Sequence, residues 1–322
     1  MAALRISTRA LRAATTRGNV LNRGFSSSSV RLGAVEGVDN LSVIGAGQMG
    51  LGIALVAARH ASLPVTLIDS SEASISKATS FISKLLDKDV AKSRLTEEEA
   101  SAIKSRITTS TDINSVSNSD FIIEAVPEIV DLKLKIFKQL GEISKPTAIL
   151  ATNTSSISIT KIAAAAGPDA ADRVISTHFM NPVPVQPGVE IITALQTSPK
   201  TLQTSLDLCK AMKKLPSKSA DTPGFLANRI LMPYINEAII CLESGIGGKE
   251  DIDGIMKNGT GVPMGPLTLA DFIGLDTCLA IMKVLYQDTG DSKYRPSVLL
   301  QRMVDAGWVG KKCGKGFYDY TK

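Results

Sequence analysis

Clustered metal ligands are missing from this sequence. Its four cysteines, Cys209, Cys241, Cys278 and Cys313, stand more than 30 residues apart, and there are only two histidines, His60 and His178. No CxxC or CxH spacing occurs, which disfavours a zinc site and thioredoxin-like chemistry. Scattered cysteines suit buried thiols in a reducing compartment. Long apolar runs are missing too. Nowhere do about 18 uninterrupted apolar residues occur, so no membrane span is expected. No internal repeat is found.

Acidic residues are absent from the first 35 positions, and so is lysine. Those positions hold six arginines, Arg5, Arg9, Arg12, Arg17, Arg23 and Arg31, and the run Ser26 to Ser29. On a helix, Arg5, Arg9 and Arg12 share one stripe, with Leu4 and Leu11 on another. An Arg-rich, Ser-rich, acid-free start fits a mitochondrial transit peptide over 1–35 and a matrix location. Arg23-Gly24-Phe25-Ser26 is the expected processing region. The segment has no apolar core of a secretory signal. The alternative is a basic arm for nucleic acid. The whole chain carries +5, but without those arginines 30 basic residues face 31 acidic ones, a net of −1. The charge therefore belongs to the arm, and no nucleic-acid partner is expected.

What is present fits two domains. The chain has 322 residues, 44% of them hydrophobic, enough for about two cores. Short apolar runs alternate with helical stretches: Leu41 to Ile44, Val65 to Ile68, Phe121 to Ile123, Ala148 to Leu150, Val174 to Ser176 and Val189 to Ile192. Helices are predicted over Gln48–His60, Ser71–Lys92 and Leu132–Ile143, with another opened by a capping box at Thr96 and Glu99. This pattern implies an α/β fold, a doubly wound, mostly parallel sheet covered on both faces. Beyond a boundary near Pro216 to Pro223 the periodicity becomes all-α, giving expected domains over 38–220 and 221–322.

Gly45-Ala46-Gly47-Gln48-Met49-Gly50 matches GxGxxG, with a strand before it and a helix after. Asp69 ends the next strand, 19 residues beyond Gly50. In that context the motif is a Rossmann dinucleotide fingerprint. Gly45 allows the turn, Gly47 lets the pyrophosphate approach, and Gly50 lets helix and strand pack. Asp69 would take the ribose hydroxyls. No arginine follows it at Ser70 or Ser71, so NAD is expected over NADP. His178 is expected just after a strand, at the sheet edge where such folds bind ligands. It is the candidate base for hydride transfer from an alcohol. Glu190 sits between apolar neighbours, a costly position for an unpartnered charge. His60, closing the first helix, is expected to be a cation or C-cap.

The residues together resemble the short-chain L-3-hydroxyacyl-CoA dehydrogenases, including the 3-hydroxybutyryl-CoA dehydrogenases. The blocks that carry the likeness are Val43 to Gly50, Glu124 to Glu128, Asn153 to Ser156, His178 to Pro184, Asp221 to Phe225, Pro263 to Pro266 and Gly314 to Tyr318, spanning 40–322. The resemblance implies NAD-dependent oxidation of a 3-hydroxyacyl-CoA to a 3-ketoacyl-CoA, as in fatty-acid β-oxidation or butanoate metabolism. It implies His178 as general base, Glu190 as its orienter, and Asn228 and Ser155 at the reacting oxygen, Ser155 touching substrate and nicotinamide. Glu128, Lys133 and Lys312 would border the cofactor, and Lys92 with Lys133 would meet the CoA phosphates. The helical domain would carry a homodimer interface. Met180 stands where the family usually has Phe, and Gln186-Pro187-Gly188 replaces a more usual Met-Lys-Leu. Ile129 and Pro64 also depart from the pattern. Two readings compete: a non-enzymatic descendant of the fold, and a dehydrogenase of free 3-hydroxy acids using a lysine base.

Overall fold

A computed structural model describes residues 35–321. The basic start expected to act as a transit peptide lies outside these residues. The apolar runs form an eight-stranded sheet, ordered β3-β2-β1-β4-β5-β6-β7-β8. The strands are β1 Leu41–Ile44, β2 Val65–Ile68, β3 Ile107–Ser110, β4 Phe121–Glu124, β5 Ile149–Thr152, β6 Val174–Phe179, β7 Gly188–Thr193 and β8 Leu215–Ala220. Pairing is parallel except between β6 and β7, which run antiparallel. The order reverses between β1 and β4, and the crevice at such a switch point is where this sheet type binds its ligand.

Adjacent residues in each central strand serve opposite faces, as a period of two requires. Val43, Leu67, Ile123, Ala151, Ile175 and Ile191 pack in one apolar core. Their neighbours Ile44, Ile68, Ile122, Leu150, Val174 and Ile192 pack in a second, on the other face. The covering helices are α1 Gln48–Val56, α2 Glu72–Ala91, α3 Glu97–Ser105, α4 Val130–Ile143, α5 Ile159–Ala166 and α6 Pro199–Ala211. The capping box at Thr96 and Glu99 is present. A third core lies among α7 Ala227–Glu243, α8 Lys249–Thr260, α9 Pro266–Ile273, α10 Leu275–Thr289 and α11 Val298–Asp305.

Several sequence expectations need correction. Edge strands β3 and β8 and helix α6 escaped the sequence pattern. Ile107-Thr-Thr-Ser and Leu215-Pro-Ser-Lys-Ser-Ala are half-exposed and polar. Pro216 sits inside β8, tolerated because the strand is an edge, and the sheet ends at Ala220. The first helix does not continue to His60 as α-helix; it becomes a π turn over Ala57–Ala61. His60 is no cation there. Burial, then the charges of Arg59, Lys213 and Lys214, lower its pKa to about 4. The thiols of Cys209 and Cys278 are buried, Cys241 is part-buried and Cys313 is exposed. Among the described residues no helix is long and apolar enough to cross a membrane, and no group of His, Cys, Asp and Glu is arranged to hold a metal.

Candidate active site

The turn between β1 and α1 is built from backbone. Gly45 has φ +105°, and a Cβ there would lie 2.6 Å from the carbonyl oxygen of Ala125. A Cβ on Gly50 would lie 1.8 Å from the carbonyl oxygen of Gly45, so helix and turn touch directly. At Gly47 the reverse holds: a Cβ would meet nothing within 4 Å. Open space at that position is what an approaching ligand needs. Helices α2, α3, α5 and α6 are capped by Ser71, Thr96, Ser158 and Ser198. By contrast α1 has no side-chain cap and no acidic residue in its first turn. Its N-terminal amides and partial positive charge are thus left for an anion. Asp69 borders the turn. One carboxylate oxygen accepts the N–H of Ala46 at 2.8 Å, the other that of Ser71 at 2.9 Å. Ala46, Gln48 and Met49 complete the turn, and the Gln48 amide donates to Asn181 Oδ1 at 3.1 Å. This donor set fits a dinucleotide pyrophosphate with a ribose beside Asp69.

A second set of residues is built from side chains. His178 lies inside β6, not after it, because the strand runs three residues past the expected Val174 to Ser176, to Phe179. Directly across the antiparallel pair sits Glu190 on β7. Its Oε2 is 2.8 Å from His178 Nδ1. A carboxylate only accepts, so Nδ1 carries the proton of this bond, which leaves Nε2 as the nitrogen free to exchange a proton with a substrate. The other oxygen, Oε1, accepts the N–H groups of Leu226 and Ala227, each at 2.8 Å, where α7 begins. Burial would raise the Glu190 pKa, but the His178 bond and these two amides outweigh it and hold it below 4.5.

The same start of α7 carries Asn228, whose side-chain amide donates to the carbonyl of Ser155 at 3.3 Å. Asn153 Oδ1 accepts the N–H of Phe179 at 2.8 Å. Hydrogen bonds therefore run from His178 through Glu190 to α7, from α7 to the 153–156 loop, and from that loop back to the residue beside His178. Ser155 does not cap α5; Ser158 does.

The 154–156 loop is gripped by Glu128. Its Oε1 accepts from Thr154 Oγ1 at 2.5 Å, and from the amide and hydroxyl of Ser155 at 2.9 and 3.2 Å. The amide and hydroxyl of Ser156 add bonds of 3.1 Å each. Burial raises the Glu128 pKa, but Lys133 and these donors bring it below its ordinary value. Lys133 is 1% exposed. It lies 2.6 Å from Glu124 and 3.3 Å from Glu128. That burial corrects its expected contact with a CoA phosphate, since both its charge and its protons are already used. Glu124 was not singled out from sequence, though a carboxylate ending Phe121-Ile122-Ile123 carries the same signal as Glu190. It also accepts from Thr152 Oγ1, its register partner on β5, at 2.7 Å.

Two further lysines with expected roles lie on other elements. Lys92 ends α2, about 30 Å of helix away from Asp69 at 1.5 Å per residue. Lys312 is bound to Asp276 of α10 at 2.6 Å, inside the helical part.

Residues 40–222 match the family model of the 3-hydroxyacyl-CoA dehydrogenase NAD binding domain, and 224–320 that of the 3-hydroxyacyl-CoA dehydrogenase C-terminal domain. The chain belongs to the 3-hydroxyacyl-CoA dehydrogenase family. It is an NAD-dependent oxidoreductase, with the doubly wound sheet and helical second part of that family. It is 50% identical over 278 residues to a probable 3-hydroxybutyryl-CoA dehydrogenase of Deinococcus radiodurans, covering 86% of this chain and 99% of that one. It is 42% identical over 308 residues to a human protein named hydroxyacyl-coenzyme A dehydrogenase, mitochondrial, covering 92% and 97%. The crystal structure of (S)-3-hydroxybutyryl-CoA dehydrogenase from Ralstonia eutropha superposes with a TM-score of 0.85 at 45% identity, covering 88% of this chain and 100% of that one.

Proposed function

We propose that this dehydrogenase oxidises a short-chain L-3-hydroxyacyl-CoA, such as 3-hydroxybutyryl-CoA, with His178 as general base. The observation that carries the reading is the buried His178–Glu190 pair, 2.8 Å apart, on the same sheet edge as the uncapped glycine turn. NAD, when bound, supplies the hydride acceptor. His178 takes the 3-hydroxyl proton at Nε2, because Nδ1 is held by Glu190. The imidazolium that results is stabilised by the same carboxylate. Asn228 and Ser155, tied to each other, orient the reacting oxygen, which is a proximity effect. Glu128 fixes Ser155. Asp69 and the turn from Gly45 to Gly50 hold the cofactor. The relatives' names support the short-chain substrate.

The rest of the proposal concerns assembly and place. Residues 38–220 hold NAD and 221–322 complete the substrate site. A second copy docks on the helical part, where Ile246 and Ile255 are 75% and 66% exposed beside an apolar cavity of ≈ 570 Å³ lined by Tyr234, Ala238 and Ile252. The basic first 35 residues direct the chain to the mitochondrial matrix, and the human relative's name supports this.

The test is NADH oxidation by the purified chain. Acetoacetyl-CoA is expected to support it, with turnover falling for long acyl chains. Turnover of free acetoacetate at the acetoacetyl-CoA rate would contradict the CoA substrate, and a preference for C16 would contradict the short chain.

A further inference from the structure

Among the described residues, four other than glycine have left-handed backbone: Ser62, Ser93, Lys213 and Phe225. Three of them have an ordinary explanation. Ser62 ends the π turn, Ser93 follows the end of α2, and Lys213 follows the end of α6; helix ends commonly finish this way. Phe225 does not follow a helix. It precedes α7, its φ is +49°, and a bulky side chain in that region is an outlier. Such outliers persist only where the surroundings over-determine them, and they gather at functional sites.

The surroundings of Phe225 are the candidate dyad. Its side chain is 1% exposed and packs in the core under the sheet edge, with Ile122, Leu150 and Ile192. Its ring stands edge-on to the His178 imidazole, with centroids 6.0 Å apart and planes at 61°. The next two residues, Leu226 and Ala227, supply both amides that Glu190 Oε1 accepts. Gly224, just before, is also left-handed at φ +78°. Two consecutive left-handed residues reverse the chain, so that one residue presents its ring to His178 and the following amides reach Glu190.

We infer that Phe225 is a positioning residue for the reaction, locking the His178 ring and aiming the Glu190 carboxylate in one turn. The inference rests on the proposed role of the dyad. The Phe225 ring faces His178 and its burial leaves it no surface for a substrate, so it acts on turnover through His178. A ring edge against the imidazole limits its tilt, and proton abstraction is sensitive to such misplacement.

Phe225→Leu tests this, because leucine keeps apolar volume and loses the ring. Phe137→Leu is the control, since Phe137 is fully buried in the same core. Phe225→Leu is expected to lower kcat with acetoacetyl-CoA about 10- to 100-fold, with the Kd for NADH unchanged, while Phe137→Leu keeps kcat within about twofold at a comparable loss of Tm. With only two histidines in the chain, the His178 ring proton is resolvable by NMR and assigned with His60→Gln. It should shift in Phe225→Leu and not in Phe137→Leu. Equal kcat losses in the two variants, or wild-type kcat in Phe225→Leu, would overturn the inference. If the leucine variant does not fold, Phe225→Met carries the same measurement, and failure of both would assign the ring a structural role only. His178→Gln is assayed alongside. If it keeps turnover, the dyad reading itself fails; if it is inactive while Phe225→Leu is not, only the positioning role is lost.

Discussion

The glycine turn and the histidine seam share one sheet edge, yet they are assembled in opposite ways. The turn is contiguous backbone, six residues in a row plus Asp69. Its chemistry is amides and empty space. The seam takes one side chain each from β6, β7, the 153–156 loop and the start of α7, and joins them by hydrogen bonds. A backbone site tolerates side-chain change and fails on geometry. A side-chain site fails when a reacting group is removed or misaligned. Mutations should therefore divide the two regions by what they damage, stability and binding on one side, turnover on the other.

The largest effect should come from the seam. His178→Gln is expected to lower kcat by about 10²- to 10⁴-fold, the usual worth of a general base, with the Kd for NADH unchanged. Glu190→Gln should also lower kcat, but with a second consequence that His178→Gln lacks. Glu190 accepts two amides at the start of α7, and weakening those charged hydrogen bonds should cost about 1–3 kcal/mol of stability. The pH dependence follows from its lowered pKa in the fold. A depressed carboxylate contributes stability fully above its unfolded value, near 4.5, and loses it as pH falls through the lower folded value. Urea unfolding across that acid window should be steep for the parent chain and flatter for Glu190→Gln. Equal stability of the two chains at pH 7, or parallel acid limbs, would separate the carboxylate from α7.

The turn should show the opposite split. Gly45→Ala forces a Cβ toward the Ala125 carbonyl at φ +105°, and should destabilise the fold by about 1–3 kcal/mol. Gly47→Ala meets no atom within 4 Å, so its Tm should hold while NADH binding weakens, read by fluorescence titration. A Gly47→Ala chain that binds NADH normally would move the pyrophosphate away from this turn.

The same contrast explains what the sequence made legible. The turn, the buried strands and the helix caps are local, and period and motif report them. The His178–Glu190 pairing was reachable because Glu190 sits in an apolar strand where a charge needs a partner, and the resemblance supplied which one. Glu124 carries that signal equally, but its partner Lys133 lies on a helix face where lysine reads as solvated. The edge strands β3 and β8 hide because one exposed side removes the apolar run. The left-handed backbone of Phe225 leaves no trace in composition. The grip of Glu128 on Thr154, Ser155 and Ser156 depends on a strand crossing that only the folded sheet creates.

The smallest expected effect is at Lys92, one of the two lysines expected to meet CoA. Lys92→Ala should leave the KM for acetoacetyl-CoA within about twofold, because an exposed lysine at the far end of α2, about 30 Å from Asp69, has no short route to the site. Lys133→Met should instead strike stability, since it strands Glu124 as a buried, unpaired carboxylate, a loss of about 3–5 kcal/mol where such pairs are broken. The two lysines thus separate by readout, one nearly silent and one structural. A KM for acetoacetyl-CoA raised tenfold by Lys92→Ala, with kcat preserved, would instead mean that the α2 end folds toward the substrate when CoA binds.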